Sequence, residues 1–164
     1  MRSWLFRHRP LSAASHPSTP RSRKGCCGFC GCFRRAGTYL GAVPSDAYFQ
    51  KVLAQDHVIA LAARSGDTVV GGLVAYTLEK LEQQRSEIYI YDPAVATSHR
   101  RKGIATALIR AVQQIAANCD AHVIFVQADQ GDDPAIALYE SLGLREEVLH
   151  FDITPAGKQD TAPD

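Results

Sequence analysis

Hydrophobic positions follow a helical period through the second half of this 164-residue chain. Between residues 104 and 116 they recur three or four apart, which predicts an amphipathic helix ending at Asn118. A further helix is predicted to begin at Asp132-Asp133-Pro134, where acidic residues and a proline favour a helix start, and to stop at Gly143. The apolar face of the first helix consists of Ile104, Leu108, Ile109, Val112, Ile115 and Ala116.

Runs rich in β-branched and aromatic residues predict strands. They cover residues 58–63, 69–76, 86–92, 121–127 and 144–152. The last is predicted from the alternation of Val148, His150 and Asp152 with apolar neighbours, and the strand at 121–127 is expected to be buried. Pro44-Ser45-Asp46 predicts a capped short helix over residues 47–53. Together these elements predict an α/β (α+β) domain whose mixed sheet is antiparallel at first.

The loop before the long helix carries the most informative chemistry. It reads Ser-His-Arg-Arg-Lys-Gly-Ile-Ala over residues 98–105, with three cations before Gly103. A helix start leaves backbone N–H groups unpaired and favours negative charge, while a glycine lets the backbone approach a ligand closely. This R-x-x-G-x-A pattern is weak alone, but its position between a strand and a helix predicts a pyrophosphate site.

Longer strings carry a resemblance to a known family. They are Arg-Ser-Glu-Ile-Tyr-Ile-Tyr-Asp at 85–92, the loop and helix start at 99–109, Val-Gln-Ala-Asp at 126–129, Gly-Asp-Asp-Pro-Ala at 131–135 and Leu-Arg-Glu-Glu-Val at 144–148. The chain resembles the GNAT superfamily of N-acetyltransferases and, within it, the aminoglycoside 3-N-acetyltransferases. The resemblance covers about residues 38–152.

The resemblance implies a GNAT fold, a mixed central sheet with splayed parallel strands and flanking helices, that lacks the usual first strand and helix. It also implies acetyl-CoA as acetyl donor and no metal. Backbone amides near Ala94 and Val95 are expected to hold the acetyl carbonyl as an oxyanion hole does. Pro93 departs from the aliphatic residue of close relatives and removes one N–H. The cofactor-binding residues are then Ala94, Val95, Arg100, Arg101, Lys102, Gly103, Ile104 and Ala105.

Two residues are expected to carry the catalytic chemistry. Asp92, at the end of the strand over 86–92, matches an active-site aspartate of the family and would orient and deprotonate the acceptor amine. Its alternative role is that of a turn former. Tyr139 matches the tyrosine that protonates the departing CoA sulfur, and its alternative role is a core tyrosine with a satisfied hydroxyl.

Substrate contacts are predicted for Tyr91, Asp92 and Asp132. Capping the second helix explains one carboxylate of the Asp132-Asp133 pair, and Asp133 is assigned that structural role. Glu87 is interpreted as structural. The histidines have no ligand-like spacing, so no metal site is predicted in the domain.

The function implied is transfer of acetyl to the 3-amino group of an aminoglycoside such as gentamicin, conferring resistance. Acetylation removes a positive charge that anionic RNA recognises. The alternatives are a GNAT enzyme for another small amine or a peptide amine, and an N-terminally damaged, inactive copy. The partner is a polyamine substrate, with no nucleic acid or membrane and with a homodimer left open. No segment approaches the roughly 20 apolar residues of a membrane span, so the cytoplasm is the expected location.

Charge divides the chain unevenly. Residues 1–37 hold eight of the 18 Lys and Arg and no Asp or Glu, which leaves the remainder with ten basic against 17 acidic residues, a net charge of −7. An acidic domain attracts a polycationic substrate, although a plain soluble surface explains the charge equally well. The predicted organisation is a basic segment over 1–37, the acetyltransferase domain over 38–154 and a polar tail over 155–164.

The first segment is open to four interpretations. Cys27-x-x-Cys30 has zinc-ligand spacing without a second pair, and the Arg- and Ser-rich, acid-free composition resembles an organelle transit peptide. A disordered basic tail is a third alternative. The favoured interpretation is a translation-frame artefact, because the family resemblance begins abruptly after it.

Overall fold

The structure is a computed structural model that describes residues 44–157, and of Asp92 the backbone only. The helices are α1 (Asp46–Leu53), α2 (Ile104–Asn118) and α3 (Asp133–Glu140). The strands are β1 (Val58–Ser65), β2 (Thr68–Glu79), β3 (Ser86–Val95) and β4 (Ala121–Val126). A short 3₁₀ turn, Thr97–His99, lies between β3 and α2. The chain forms two compact units that divide after Asp129.

The described strands form one mixed sheet in the order β1-β2-β3-β4. The first two pairings are antiparallel, and β3 pairs with β4 in parallel. The parallel pair is joined through α2, as parallel strands require a long crossover connection. The mixed sheet confirms the predicted fold class and places the basic loop at the crossover.

The core of the first unit lies between this sheet and α2. The helix packs across all four strands, and its buried side chains follow the predicted helical period. Ile115 of the predicted face is only half-buried. Each of the larger core side chains stabilises the fold by about 1.5–3 kcal/mol. The largest fully buried ones are Leu61, Leu73, Ile88, Ile90, Leu108, Val70 and Val112.

Two bulges bend the antiparallel strands. Ala63 pairs with Gly71 but Arg64 pairs with Val69, so Val70 is an extra residue beside Gly71. On the other side of β2, Val74 pairs with Asp92 and Ala75 with Ile90. Tyr91 is therefore the extra residue of β3, directly before the predicted catalytic aspartate.

The prediction of a final strand over residues 144–152 is wrong. In the structure, residues 144–152 adopt no regular strand or helix. Leu144 and Phe151 are 100% and 75% exposed. His150 and Asp152 still share one side of the extended backbone, since His150 Nε2 lies 3.2 Å from an Asp152 carboxylate oxygen.

Two further predictions need smaller corrections. The strand at 121–127 was expected to be buried, but β4 is the edge of the described sheet, and Val123 and Phe125 are 44% and 38% exposed. The helix predicted to reach Gly143 ends earlier, at Glu140, with Ser141 as its C-cap. Gly143 N–H donates to the Tyr139 carbonyl at 2.9 Å and closes the last turn.

Some expectations concern residues outside the described range of 44–157. They include the missing first strand and helix, the basic segment and its Cys27-x-x-Cys30 spacing, and most of the polar tail. Within the described range, no helix has both the length and the apolar character needed to cross a membrane.

Candidate active site

The parallel pairing of β3 with β4 stops before β3 ends. The last pair is Ile90 with Val126, whereas β3 continues to Val95 while paired with β2 on its other side. Along residues 91–95, the edge that faces away from β2 therefore has no partner strand in the described sheet. Backbone N–H and C=O groups on such an edge are available to an extended ligand.

The direction of the β3 amides decides which of them a ligand can reach. Ala96 N–H donates to the Val70 carbonyl at 3.0 Å, towards β2. Alternate residues of a strand point the same way, so Ala94 also faces β2, whereas Val95 faces the open edge. The Val95 carbonyl accepts a bond from Arg100 Nε at 3.4 Å, as expected for that orientation. Of the two predicted carbonyl-binding amides, that of Val95 lies on the accessible side.

Pro93 shares the open side with Val95 by the same alternation. Because proline has no N–H, this part of the edge offers one donor fewer than an ordinary strand. In the pairing with β2, Pro93 lies opposite Leu73. Because the missing N–H is on the side away from β2, the proline does not disrupt that pairing.

The basic loop meets this edge and opens α2. Gly103 is the N-cap residue, with φ +78°, and no side chain caps the helix there. Ala107 N–H makes the first intrahelical bond, to the Gly103 carbonyl at 3.0 Å. The N–H groups of Ile104, Ala105 and Thr106 thus point out of the helix start, where its dipole favours an anion.

The cations before Gly103 are exposed and partly tied to the loop backbone. Lys102 Nζ donates to the Ser98 carbonyl at 2.8 Å. Arg101 has φ +59°, a left-handed conformation that costs a non-glycine residue about 1 kcal/mol. Successive backbone N–H groups in such a turn form a concave anion site. The structure brings the predicted loop residues together at one helix start.

Tyr91 lies in a row of aromatic rings on the sheet. It is 56% exposed, and its ring stands edge-on to those of Tyr76 and Tyr89 at 6.2 and 5.7 Å. Tyr89 in turn stacks on Phe125 at 4.9 Å. Sequence reasoning missed this row because its members come from separate parts of the chain that the sheet brings together: His57 before β1, Tyr76 of β2, Tyr89 and Tyr91 of β3, and Phe125 of β4.

Glu87 is held by ion pairs. Its carboxylate lies 3.1 Å from Arg85 Nη2 and 3.9 Å from Lys80 Nζ, and its side chain is only 15% exposed. These contacts agree with the structural interpretation of Glu87.

Asp132 and Tyr139 belong to the second unit. Asp132 is the N-cap of α3, since its Oδ1 accepts the Ala135 N–H at 3.2 Å. Asp133 was predicted to be the cap, but it occupies the first helical position instead. Asp132 therefore has a structural role in addition to any contact with substrate. Tyr139 is half-buried near the end of α3.

No cluster of three metal-binding side chains occurs among the described residues. The charges described at the helix start are its dipole and the exposed side chains of Arg100, Arg101 and Lys102. An open strand edge beside an uncapped helix start suits a ligand with an extended amide-bearing arm and a pyrophosphate.

Comparison with known families decides the classification. The family model described as "Acetyltransferase (GNAT) family" matches residues 28–144, most of the chain. The chain belongs to the GNAT acetyltransferase family. Enzymes of this GNAT family use acetyl-CoA, which has the extended arm and pyrophosphate that the site suits.

Solved GNAT structures include relatives of this chain. A crystal structure of aminoglycoside acetyltransferase HMB0005 from an uncultured soil metagenomic sample is 54% identical, with TM-score 0.71, covering 80% of this chain and 88% of that one. Aminoglycoside acetyltransferase meta-AAC0020, also from an uncultured soil metagenomic sample and in complex with sisomicin, is 32% identical. Its TM-score is 0.73, and the match covers 78% of this chain and 86% of the other.

Curated GNAT relatives match a shorter stretch. N-acetyltransferase 8B of Rattus norvegicus is 29% identical over 89 residues, 54% of this chain. The match spans 40% of that relative's own length.

Proposed function

We propose that this protein transfers the acetyl group of acetyl-CoA to an amine of an aminoglycoside antibiotic, at its 3-amino group, and so confers resistance. The observation that carries the proposal is the open edge of β3 over residues 91–95, which is followed along the chain by the short basic loop and the uncapped start of α2. One ligand can then be held by both.

The donor binds across these two elements. The N–H groups of Ile104, Ala105 and Thr106 hold the pyrophosphate, with Arg100, Arg101 and Lys102 around it. The pantetheine arm lies along β3 like an added strand, since it carries amide groups that pair with backbone. The Val95 N–H then points at the thioester carbonyl and stabilises negative charge that develops on its oxygen.

Acetyl transfer proceeds by direct attack. The acceptor ammonium loses a proton to the Asp92 carboxylate, directly or through water, which frees the nitrogen lone pair. The nitrogen attacks the thioester carbon, a C–N bond forms and the C–S bond breaks. The Tyr139 hydroxyl gives its proton to the departing CoA thiolate, and the second proton lost by the acylated nitrogen restores that hydroxyl. Asp92 returns the first proton, taken from the ammonium, to solvent.

The choice of acceptor is supported by three observations. The 54% identity and the 32% identity are both to proteins described as aminoglycoside acetyltransferases. The chain beyond residue 37 carries a net charge of −7, which concentrates a polycation near it. Tyr91 presents an exposed ring beside the Asp92 position, and an aromatic face attracts an ammonium group.

Thiol release from acetyl-CoA by the purified full chain tests the proposal, with gentamicin as acceptor. NMR of the product identifies the acetylated nitrogen. Expression in a susceptible bacterium is expected to raise the inhibitory concentration of gentamicin. Turnover with a peptide amine or another small polyamine but not with gentamicin would reassign the acceptor, and no turnover with any amine would point to an inactive copy.

Asp92→Asn is expected to abolish gentamicin-dependent thiol release, because the amide accepts no proton. Asp120→Asn is the matched control. Asp120 lies after the far end of α2, about 22 Å from its start, at φ +54°, a conformation that asparagine tolerates. Equal activities of the two variants would remove Asp92 from the mechanism.

A further inference from the structure

Gly71 of β2 lies where the two halves of the proposed donor site meet. In the sheet it pairs with Ala63 of β1 and with Val95 of β3. Its backbone is not in the left-handed region, so an alanine could adopt it. A glycine inside a strand weakens that strand. Space, rather than backbone conformation, is the reason for glycine at this position.

The space is taken by the first residue of α2. A Cβ on residue 71 would lie 2.8 Å from Ile104 Cγ2, a distance that real Cβ atoms essentially never show. The same Cβ would lie 3.4 Å from the Ala94 carbonyl oxygen of β3. Ile104 is 2% exposed and Ala94 4%. The helix start therefore rests on the bare backbone of Gly71, beside the end of β3.

Ile104 cannot avoid an added methyl by rotating its side chain. Its Cγ2 is attached to Cβ, so rotation about χ2 does not move it, and β-branched residues in helices keep one strongly preferred χ1. Restoring an ordinary contact of 3.4 Å from 2.8 Å requires a movement of about 0.6 Å. The start of α2 and the sheet at Gly71 have to move apart by that amount, which changes the position of the first-turn N–H groups relative to β3.

We infer that Gly71 is a positioning residue, which sets the separation between the pyrophosphate site at the start of α2 and the carbonyl site on β3. The inference rests on the proposed use of acetyl-CoA and makes no assumption about the acceptor. A ligand that spans both sites is sensitive to their separation, because linking two contacts gains affinity only when the geometry permits both. A ligand that occupies the helix start alone is not.

Calorimetry with two ligands tests this inference. ADP carries a pyrophosphate without the pantetheine arm, whereas acetyl-CoA carries both. Gly71→Ala is expected to bind ADP within twofold of the wild-type affinity and to bind acetyl-CoA about tenfold more weakly. Equal weakening of both ligands, or no weakening of either, would overturn the inference.

A compensating change separates positioning from general damage. Ile104→Leu moves the branch from Cβ to Cγ at equal volume, so Gly71→Ala combined with Ile104→Leu is expected to recover most of the acetyl-CoA affinity. Failure to recover, in a double variant that melts as the wild type does, also contradicts the inference. If Gly71→Ala alone does not fold, the double variant is compared with Ile104→Leu: equal acetyl-CoA affinities are expected, because leucine leaves room for the added methyl group, and a weaker affinity in the double variant would contradict the inference.

The matched control is Val112→Ala. Val112 is fully buried in the middle of α2, and its truncation lowers stability by about 1–3 kcal/mol without touching the helix start. Val112→Ala is expected to leave the ratio of the acetyl-CoA affinity to the ADP affinity unchanged. Should the wild type bind acetyl-CoA but acetylate no aminoglycoside, the acceptor proposal fails while the Gly71 measurement stands.

Discussion

The hydroxyl of Tyr89 donates to Oε1 of Gln127 at 2.8 Å, across the point where β3 and β4 separate. Tyr89 is the residue before the last paired position of β3, and Gln127 is the first residue after β4. The bond therefore closes the paired part of the two strands just before the open edge begins.

A double-mutant cycle measures this contact. Tyr89→Phe keeps the stack on Phe125 and removes the hydroxyl, and Gln127→Ala removes the acceptor. Each is expected to lower the free energy of unfolding by about 0.5–1 kcal/mol, with a coupling of about 0.5 kcal/mol, since the bond is exposed. Urea unfolding of the four proteins gives the values, and additive effects would mean that the two side chains do not cooperate.

Lys102 is predicted to act on donor affinity. Lys102→Gln removes a charge at the helix start, and we expect the KM for acetyl-CoA to rise about fivefold with little change in kcat. The same variant should show a weaker dependence of KM on salt. Lys51→Gln, on an exposed position of α1, is the control and leaves both unchanged. A fall in kcat without a rise in KM would contradict this role.

The left-handed backbone of Arg101 gives a prediction about stability. Arg101→Gly and Arg101→Ala lose the same charge, but only glycine adopts φ +59° without cost. The glycine variant is expected to be more stable than the alanine variant by about 1 kcal/mol, with equal KM for acetyl-CoA. Thermal unfolding compares them. Gly66→Ala, at φ +57° in the β1–β2 turn, is expected to lower the free energy of unfolding by a similar amount.

Asp132 has two predicted roles that different substitutions separate. Asp132→Asn keeps an N-cap acceptor and removes the charge, so it is expected to unfold like the wild type and to raise the KM for the aminoglycoside. Asp132→Ala loses the cap as well, at about 1 kcal/mol. Asp133→Asn is the control with unchanged KM. An unchanged KM in Asp132→Asn would leave Asp132 with its capping role alone.

Local patterns predicted most of the first unit. Helical spacing placed α2 correctly, since one face of a helix must fill a core, and β-branched runs placed the four strands. The pyrophosphate site could be predicted because the loop combines cations with a glycine N-cap at a helix start.

Features that depend on strand pairing, helix register or tertiary contact could not be predicted from the sequence. Whether β4 is buried, and whether residues 144–152 form a strand, depends on neighbours that a single segment does not specify. The choice of Asp132 over Asp133 as cap depends on one residue of helix register. Gly71 and Ile104 are 33 positions apart in the sequence, and no local pattern predicts their contact.

The open edge of β3 over residues 91–95 also has a consequence for the protein in storage and in the cell. Unpaired strand edges template the addition of strands from other chains, which is a route to aggregation. An acetyl-CoA arm bound along that edge, as proposed above, would block it, and ligand at 100 times its Kd would stabilise the fold by about 2.7 kcal/mol. Bound acetyl-CoA would then also reduce self-association, and a low concentration of acetyl-CoA would shorten the lifetime of the protein.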